Sequence, residues 1–230
     1  MARRPIFVSG GKVGALYEEI SIDFTWHSGF APSQKQKSMR ELHTEAAKIG
    51  LLKVLEVSTK SEHELGRRLS AFRLDVELSG VTSKIECIYQ ASKVFEKGGP
   101  FPELAYMKPI EAKRFFREKE LGLITKFSFM GKDYENIPFH AYYDWLFLRA
   151  LSVDDSLRYL ETNLMKIDGF SDIEFNPARS INTQARSMAI FKTLLIRKRL
   201  HDCANDFDIY RDHLLDIERK HSHQIRLNIA

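Results

Sequence analysis

A chain of 230 residues with 43% hydrophobic content can bury a full core, and 12 glycines with 7 prolines argue against long disordered linkers. With 35 basic against 31 acidic residues the net charge is +4, which permits nucleic-acid contact without demanding it, and no stretch approaches the length of an apolar membrane span. Cys87 and Cys203 form neither a disulfide framework nor a metal-type spacing, and no secretory apolar segment follows the basic start Met1-Ala2-Arg3-Arg4-Pro5, so a soluble, reducing, cytoplasmic setting is expected.

Pro5 to Val8 and Ile20 to Trp26 read as short strands, the second alternating Ile20, Ile22, Phe24 and Trp26. Pro32-Ser33 opens a helix: Ser33-Gln34-Lys35-Gln36 has the pattern of a capping box, Met39, Leu42, Ala46 and Ile49 follow at helical spacing, and Gly50 is the stop. Leu51 to Ser58 is a β-type run, and Ser61-Glu62-His63-Glu64 caps a short helix ending near Gly66. Leu69 to Leu78 is strand-like and is turned by Ser79-Gly80 into a helix that runs from Ile85 to Phe95 and ends at Gly98-Gly99-Pro100. Pro109 suits a first helical turn, with Ile110 to Leu121 helical behind it. Phe127 to Met130 suggests a strand with a turn near Gly131-Lys132. Tyr142 to Leu151, Ser156 to Met165 and Ile181 to Asp202 read as helices, and Asp206 to Ala230 as a last helix with a frayed end. Basic residues cluster at Lys35, Lys37 and Arg40, at Lys113, Arg114 and Arg117, and at Arg197, Lys198 and Arg199; each cluster reads as a solvated helix face unless the three converge in space.

The run from Ile85 to Phe95 carries the most information. At about 100° per residue Glu86, Gln90 and Lys93 share a stripe roughly 60° wide, while Ile85, Cys87, Ile88, Ala91, Val94 and Phe95 cover the other faces. That stripe is either solvent-facing surface or the wall of a cleft. Ser83-Lys84-Ile85-Glu86 also has capping-box spacing, which would turn Glu86 back on the Ser83 amide.

Leu69-Ser70-Ala71-Phe72, Gly80 and Ile85-Glu86-Cys87-Ile88-Tyr89-Gln90-Ala91-Ser92-Lys93 resemble the NADAR family signature, a Leu-Ser-Asn-Phe element before Glu-His-Tyr-Gln-Ala-x-Lys. Ile173-Glu174-Phe175-Asn176-Pro177 resembles the family's Val-Glu element, and Asn182 and Ala185 its later helix. The closer resemblance is to NADAR antitoxins paired with DarT-type DNA ADP-ribosyltransferase toxins. It is carried by Ser33 to Ser38, Ser58-Thr59-Lys60-Ser61-Glu62, Phe95 to Pro100, Tyr143-Asp144-Trp145-Leu146, Asp168 to Pro177 and Ser180 to Ser187, in one order from about Pro5 to Phe191. Ala71 and Cys87 stand where the wider family has Asn and His. Asn176-Pro177-Ala178-Arg179 stands where the family has Asp and Trp-Gly, a departure that implies a differently shaped leaving-group pocket.

The resemblance implies an α+β domain of NADAR/YbiA-like type, with several helices around a small sheet. Residues 1–50 would be a strand and helix elaboration, 51–205 the NADAR catalytic domain and 206–230 a helical tail. It implies an antitoxin-type N-glycosidase that removes ADP-ribose from guanine in DNA and so reverses a DarT-type toxin. The partners would then be ADP-ribosylated DNA, ADP-ribose as product and the cognate toxin, with no cofactor and no membrane. Cleaving ribose C1 from a base nitrogen develops oxocarbenium charge, which a fixed carboxylate stabilises. Glu86 is the first choice for that role and Glu174 the second; Lys93 supplies a proton, holds the diphosphate or attacks C1. Ser58, Lys60 and Arg186 are candidate diphosphate or ribose contacts. Phe72 and Trp145 are either base-stacking platforms or core, and Asn182 and Gln184 are either ligand contacts or helix caps. Ser70, Gln90 and Asn176, which stand within the same motifs, complete the implied substrate-binding set. His63, His201 and His213 have no ligand spacing, and His221-Ser222-His223 is a weak chelate, so no metal is expected. Two other readings stay open: an N-glycosidase acting on ribosylated riboflavin-pathway intermediates, and a non-catalytic module that neutralises a toxin by contact.

Overall fold

The first elements to pair are the alternating runs at the N-terminus. β1 (Ala2–Ser9) and β2 (Tyr17–Phe24) form an antiparallel ladder from Ala2↔Phe24 to Ser9↔Tyr17. α1 (Pro32–Lys48) and the short β3 (Val54–Glu56) follow. A distant segment, β9 (Gly169–Ser171), inserts antiparallel to β1 and parallel to β3, which gives a four-stranded sheet of order β2-β1-β9-β3. Alternation along β1 sends neighbouring side chains to opposite faces: Ile6 packs with Met39, Leu42 and Ala46 of α1, while Phe7 joins the main core. Residues 1–50 thus supply two of the four strands of this sheet. The protein is described here from a computed structural model, over residues 1–10, 14–29, 31–152, 157–178 and 180–227, with the side chains of 157–159 and 218–227 left aside. The expected helix start at Ser156, residues Gly11 and Lys12, Arg179 and the His221-Ser222-His223 side chains lie outside that description.

Between these parts run α2 (Glu64–Arg68), the hairpin β4 (Asp75–Leu78) and β5 (Val81–Lys84), α3 (Ile85–Ala91), β6 (Lys93–Phe95), a 3₁₀ turn at Pro102–Tyr106 and α4 (Pro109–Arg114). Then come β7 (Ile124–Phe129), β8 (Lys132–Tyr134), α5 (Ala141–Ser152) and α6 (Leu157–Leu164). After β9, the chain ends with α7 (Gln184–Ile196), α8 (Leu200–Asn205) and α9 (Phe207–Leu227). β6, β7 and β8 make a second, antiparallel sheet. The architecture is α+β, and no helix among the described residues is long and apolar enough to cross a membrane.

Several expected elements are shorter or divided, each for a tertiary reason. The Ile85 to Phe95 run is helix only to Ala91, because the Ala91 carbonyl accepts from the Phe101 amide (2.8 Å) and the Ser92 carbonyl from Ser128 (2.7 Å). The chain is thereby captured into β6, where Lys93 pairs with Phe127. Ser79 and Gly80, both at positive φ (52° and 82°), make a hairpin between β4 and β5 rather than a turn into α3. The Leu69 to Leu78 run is a strand only from Asp75, since the amides of Arg73 and Leu74 fold back onto the Ser70 carbonyl. Gly66 is not a helix stop: it lies inside α2, where an added Cβ would sit 2.0 Å from the Glu56 carbonyl oxygen, so only glycine lets α2 approach β3. Neither Ser33 nor Ser83 caps a helix; α1 starts from Ala31 with Pro32 in its first turn, and Ser83 belongs to β5 and donates to the Ala105 carbonyl. α4 keeps α-helical bonding only to Arg114: beyond it the amides of Phe115, Arg117 and Lys119 bond to the carbonyls three residues back, those of Ala112, Arg114 and Phe116, while Phe115 and Phe116 pack on Phe101 (5.6 and 5.2 Å). The long helix expected from Ile181 divides at Lys198, whose positive φ (55°) ends α7 with Lys198 and Arg199 amides on the carbonyls of Leu195 and Leu194.

α5 and α7 form the buried centre. Asp144 on α5 is fully buried and accepts from Arg186 Nε (3.2 Å) and Ser187 Oγ (2.6 Å) on α7, and it pairs with His140 Nδ1 (2.8 Å). Burial pushes its carboxyl up, but the Arg186 guanidinium and the His140 and Ser187 bonds outweigh that and hold it below the usual carboxylate range. Asp144→Asn would leave the buried Arg186 charge without a counter-ion, so a loss of about 3–5 kcal/mol is expected in urea unfolding. A loss below about 1 kcal/mol would mean that water compensates the guanidinium.

Candidate active site

Glu86 lies in the first turn of α3 and is only 4% exposed. A carboxylate there usually caps its own helix, but the amides of Ile85 and Glu86 are already taken by the carbonyls of Leu74 and Ala71 (both 3.0 Å). The side chain is therefore free to line a cleft of about 460 Å³, together with Tyr89, Gln90, Lys93, Lys113, Tyr143 and Asn182. Gln90 Nε2 donates to Glu86 Oε1 (2.9 Å), and Gln90 Oε1 is buried with no hydrogen-bond partner among the described residues. An unpaired acceptor on a cleft wall is costly unless a ligand donor meets it.

Lys93, at the start of β6, is half-buried, with Nζ 4.7 Å above the Tyr89 ring and 5.4 Å from that of Phe116. Desolvation lowers its pKa to about 8; Glu86 opposes that shift and the neighbouring Lys113 charge adds to it. Tyr89 is fixed from the other side by Asn182, whose Nδ2 donates to the phenolic oxygen (2.7 Å), and by the edge of Tyr143 at 5.0 Å. The rim is apolar where Ile124, Phe139, Pro177 and Ile181 approach it.

Of the candidate residues, Glu86, Gln90, Lys93 and Asn182 meet at this cleft. Glu174 does not: the chain turns there, with the Phe175 amide on the Asp172 carbonyl, and the Glu174 side chain is 44% exposed and pairs with Lys35 at 3.6 Å. Trp145 is sealed in the core between Tyr134 and Phe207, so it offers no face to a base. Arg186 is held by Asp144, and Ser70 is fully buried, accepting from the Phe72 amide. Ser58 is buried and accepts from the Lys60 amide (3.2 Å), with Lys60 half-buried beside it and both outside the cleft lining. Gln184 accepts from the Ala71 amide (2.7 Å) and so locks the 70–74 turn to α7; Asn176 accepts from the Ala178 amide (3.1 Å) and shapes the cleft's outer loop. Phe72 lines a neighbouring groove.

Sequence reasoning passed over Lys113, noted only as part of a basic cluster, and the acids Glu56 and Asp172. Glu56 accepts from Ser171 Oγ (2.7 Å) and the Ile173 amide (2.8 Å), and His43 Nε2 meets the same Ser171 hydroxyl (2.8 Å). Asp172 accepts from Thr183 Oγ1 (3.3 Å), Gln184 Nε2 (3.4 Å) and the Glu174 amide (3.1 Å). Burial pushes both carboxyls up and His43 down to about 4, and the Asp172 charge raises Glu56 further. This network ties α1, β3 and β9 to the start of α7, which fixes the segment leading to the cleft. Asp172 and Glu174 are two apart in sequence, and no local pattern tells which of them is buried.

Fold and site together define an α+β protein with a polar cleft built around a buried carboxylate and a half-buried amine. The profile of the family described as DarT1-associated NADAR antitoxin matches residues 2–224, nearly the whole chain, and the protein belongs to that family. No curated protein matches it.

Proposed function

We propose that this protein is an antitoxin that removes ADP-ribose from guanine bases in DNA, acting as an N-glycosidase that reverses a DarT-type toxin. The observation that carries the reading is the pairing in one cleft of the Glu86 carboxylate with the Lys93 amine, whose pKa is lowered to about 8. A buried carboxylate stabilises positive charge on ribose far better than one in water. Family membership supports the antitoxin role and the toxin as functional partner.

In this reading the neutral Lys93 amine attacks ribose C1. A bond forms from its nitrogen to C1 as the C1–guanine nitrogen bond breaks, and the electron pair leaves with the base. The proton lost from the new ammonium passes to the departing guanine nitrogen, with Glu86 placed to relay it. Water then hydrolyses the ribosyl–lysine linkage and regenerates the amine. Gln90 Oε1 accepts from a ribose hydroxyl, and Lys113 meets the diphosphate. The apolar rim holds the base, which must first leave its stack at a cost of about a few kcal/mol. Incubating the protein with a guanine-ADP-ribosylated oligonucleotide should release free ADP-ribose and restore unmodified DNA; recovery of the modified strand unchanged would reject the reading.

A further inference from the structure

A second concavity of about 810 Å³ adjoins the cleft, lined by Arg68, Phe72, Arg73, Asp75, Lys84 and Ala150. Its charges are unevenly used. Lys84 Nζ bonds to Asp75 Oδ2 (2.8 Å) and to the Arg73 carbonyl (2.9 Å), so that pair is internally neutral. Arg68 and Arg73 are both exposed, and among the described residues neither guanidinium has a carboxylate partner. Arg67, its neighbour on α2, is used within the protein, bonding to the carbonyls of Ser61 (2.7 Å) and Glu62 (2.9 Å) in the segment before the helix and to Glu64 in its first turn, whereas Arg68 has no such bond among the described residues. Phe72, partly exposed, stands in the same groove between the two arginines in sequence, and Lys113 Nζ lies 5.2 Å over its ring. Because Lys113 also lines the Glu86 cleft, the Phe72–Lys113 contact is a wall common to both concavities.

We infer that this groove holds the single-stranded DNA flanking the modified base, an inference that rests on the glycosidase reading and gives it a polymer-binding surface. Two unpaired guanidinium groups meet backbone phosphates, and the Phe72 ring stacks on a neighbouring base. Charge for the backbone and an aromatic face for the base is the combination that single strands require. An acidic protein surface would use the arginines but not the ring. The strand then enters the cleft past Lys113, with its modified base over Glu86.

The test is binding of a short, unmodified, fluorescein-labelled single-stranded oligonucleotide, measured by anisotropy across a salt series. Arg68→Gln with Arg73→Gln removes two phosphate contacts. The slope of log affinity against log salt should fall by about 1.4, and affinity by about tenfold near physiological salt. The same variant should release ADP-ribose from an ADP-ribosylated guanosine mononucleotide at the native rate, while KM rises for the modified oligonucleotide with kcat unchanged. Strand affinity and salt slope equal to the native protein's would overturn the groove. If the native protein releases no ADP-ribose from any substrate yet strand binding still falls in the variant, the groove stands and the glycosidase reading fails.

Discussion

Glu86→Gln is expected to lower kcat for ADP-ribose release by about 10²–10³-fold, roughly 3–4 kcal/mol of transition-state stabilisation, without unfolding the protein. The substitution is nearly isosteric, and a glutamine Oε1 can still accept from Gln90 Nε2, which now bonds to Glu86 Oε1. In the proposed reaction, what disappears is the negative charge beside the developing ribosyl cation and the group that relays a proton to the leaving base. Because the Ile85 and Glu86 amides bond to the carbonyls of Leu74 and Ala71 rather than to the Glu86 side chain, the substitution removes no cap from α3, and thermal unfolding should match the native protein's. Activity within tenfold of native would remove Glu86 from the chemistry. Protection of cells against the toxin with kcat abolished would instead favour neutralisation by contact, in which no bond is cleaved.

Lys93→Arg should cost on the order of 10³-fold or more, because a guanidinium keeps the charge but has no lone pair to offer C1. The native pH profile gives the sign. Burial lowers the Lys93 pKa to about 8 from an ordinary 10.5, so at pH 7 about one molecule in ten carries the neutral amine, a gain of about 300-fold over an unperturbed lysine. In the proposed reaction the neutral form is the nucleophile, so kcat/KM should rise about tenfold per pH unit below about 8 and level off above it. A lysine that merely clamps the diphosphate predicts the reverse, a rate that falls as pH climbs through that value. Borohydride added during turnover should fix a ribose adduct on Lys93, detectable by mass, because a ring-opened ribosyl amine is a reducible imine. An adduct-free protein would leave water as the direct attacker.

Element type was legible wherever the pattern is local. The alternation in β2, the Met39, Leu42 and Ala46 face of α1 and the apolar α5 all appear in the residues themselves. The division of the Ile85 to Phe95 run was not, because its cause lies in partners distant in sequence: Ser128 holds the Ser92 carbonyl and β7 pairs with Lys93. Helical spacing nonetheless put Glu86, Gln90 and Lys93 on one line, and all three do line the cleft, although Lys93 reaches it from a strand.

Residue chemistry and order alone were enough to specify the Glu86, Gln90 and Lys93 constellation and to reveal the family, since both depend on which side chains follow which. Only the tertiary structure decided that Asp172 rather than Glu174 is buried, that Trp145 and Arg186 belong to the core, and that Lys113 joins the cleft to the Phe72 groove. The physical reason is that burial and electrostatic environment come from contacts between segments far apart along the chain. A carboxylate, an arginine or a tryptophan has the same chemistry in either place until those contacts assign its surroundings.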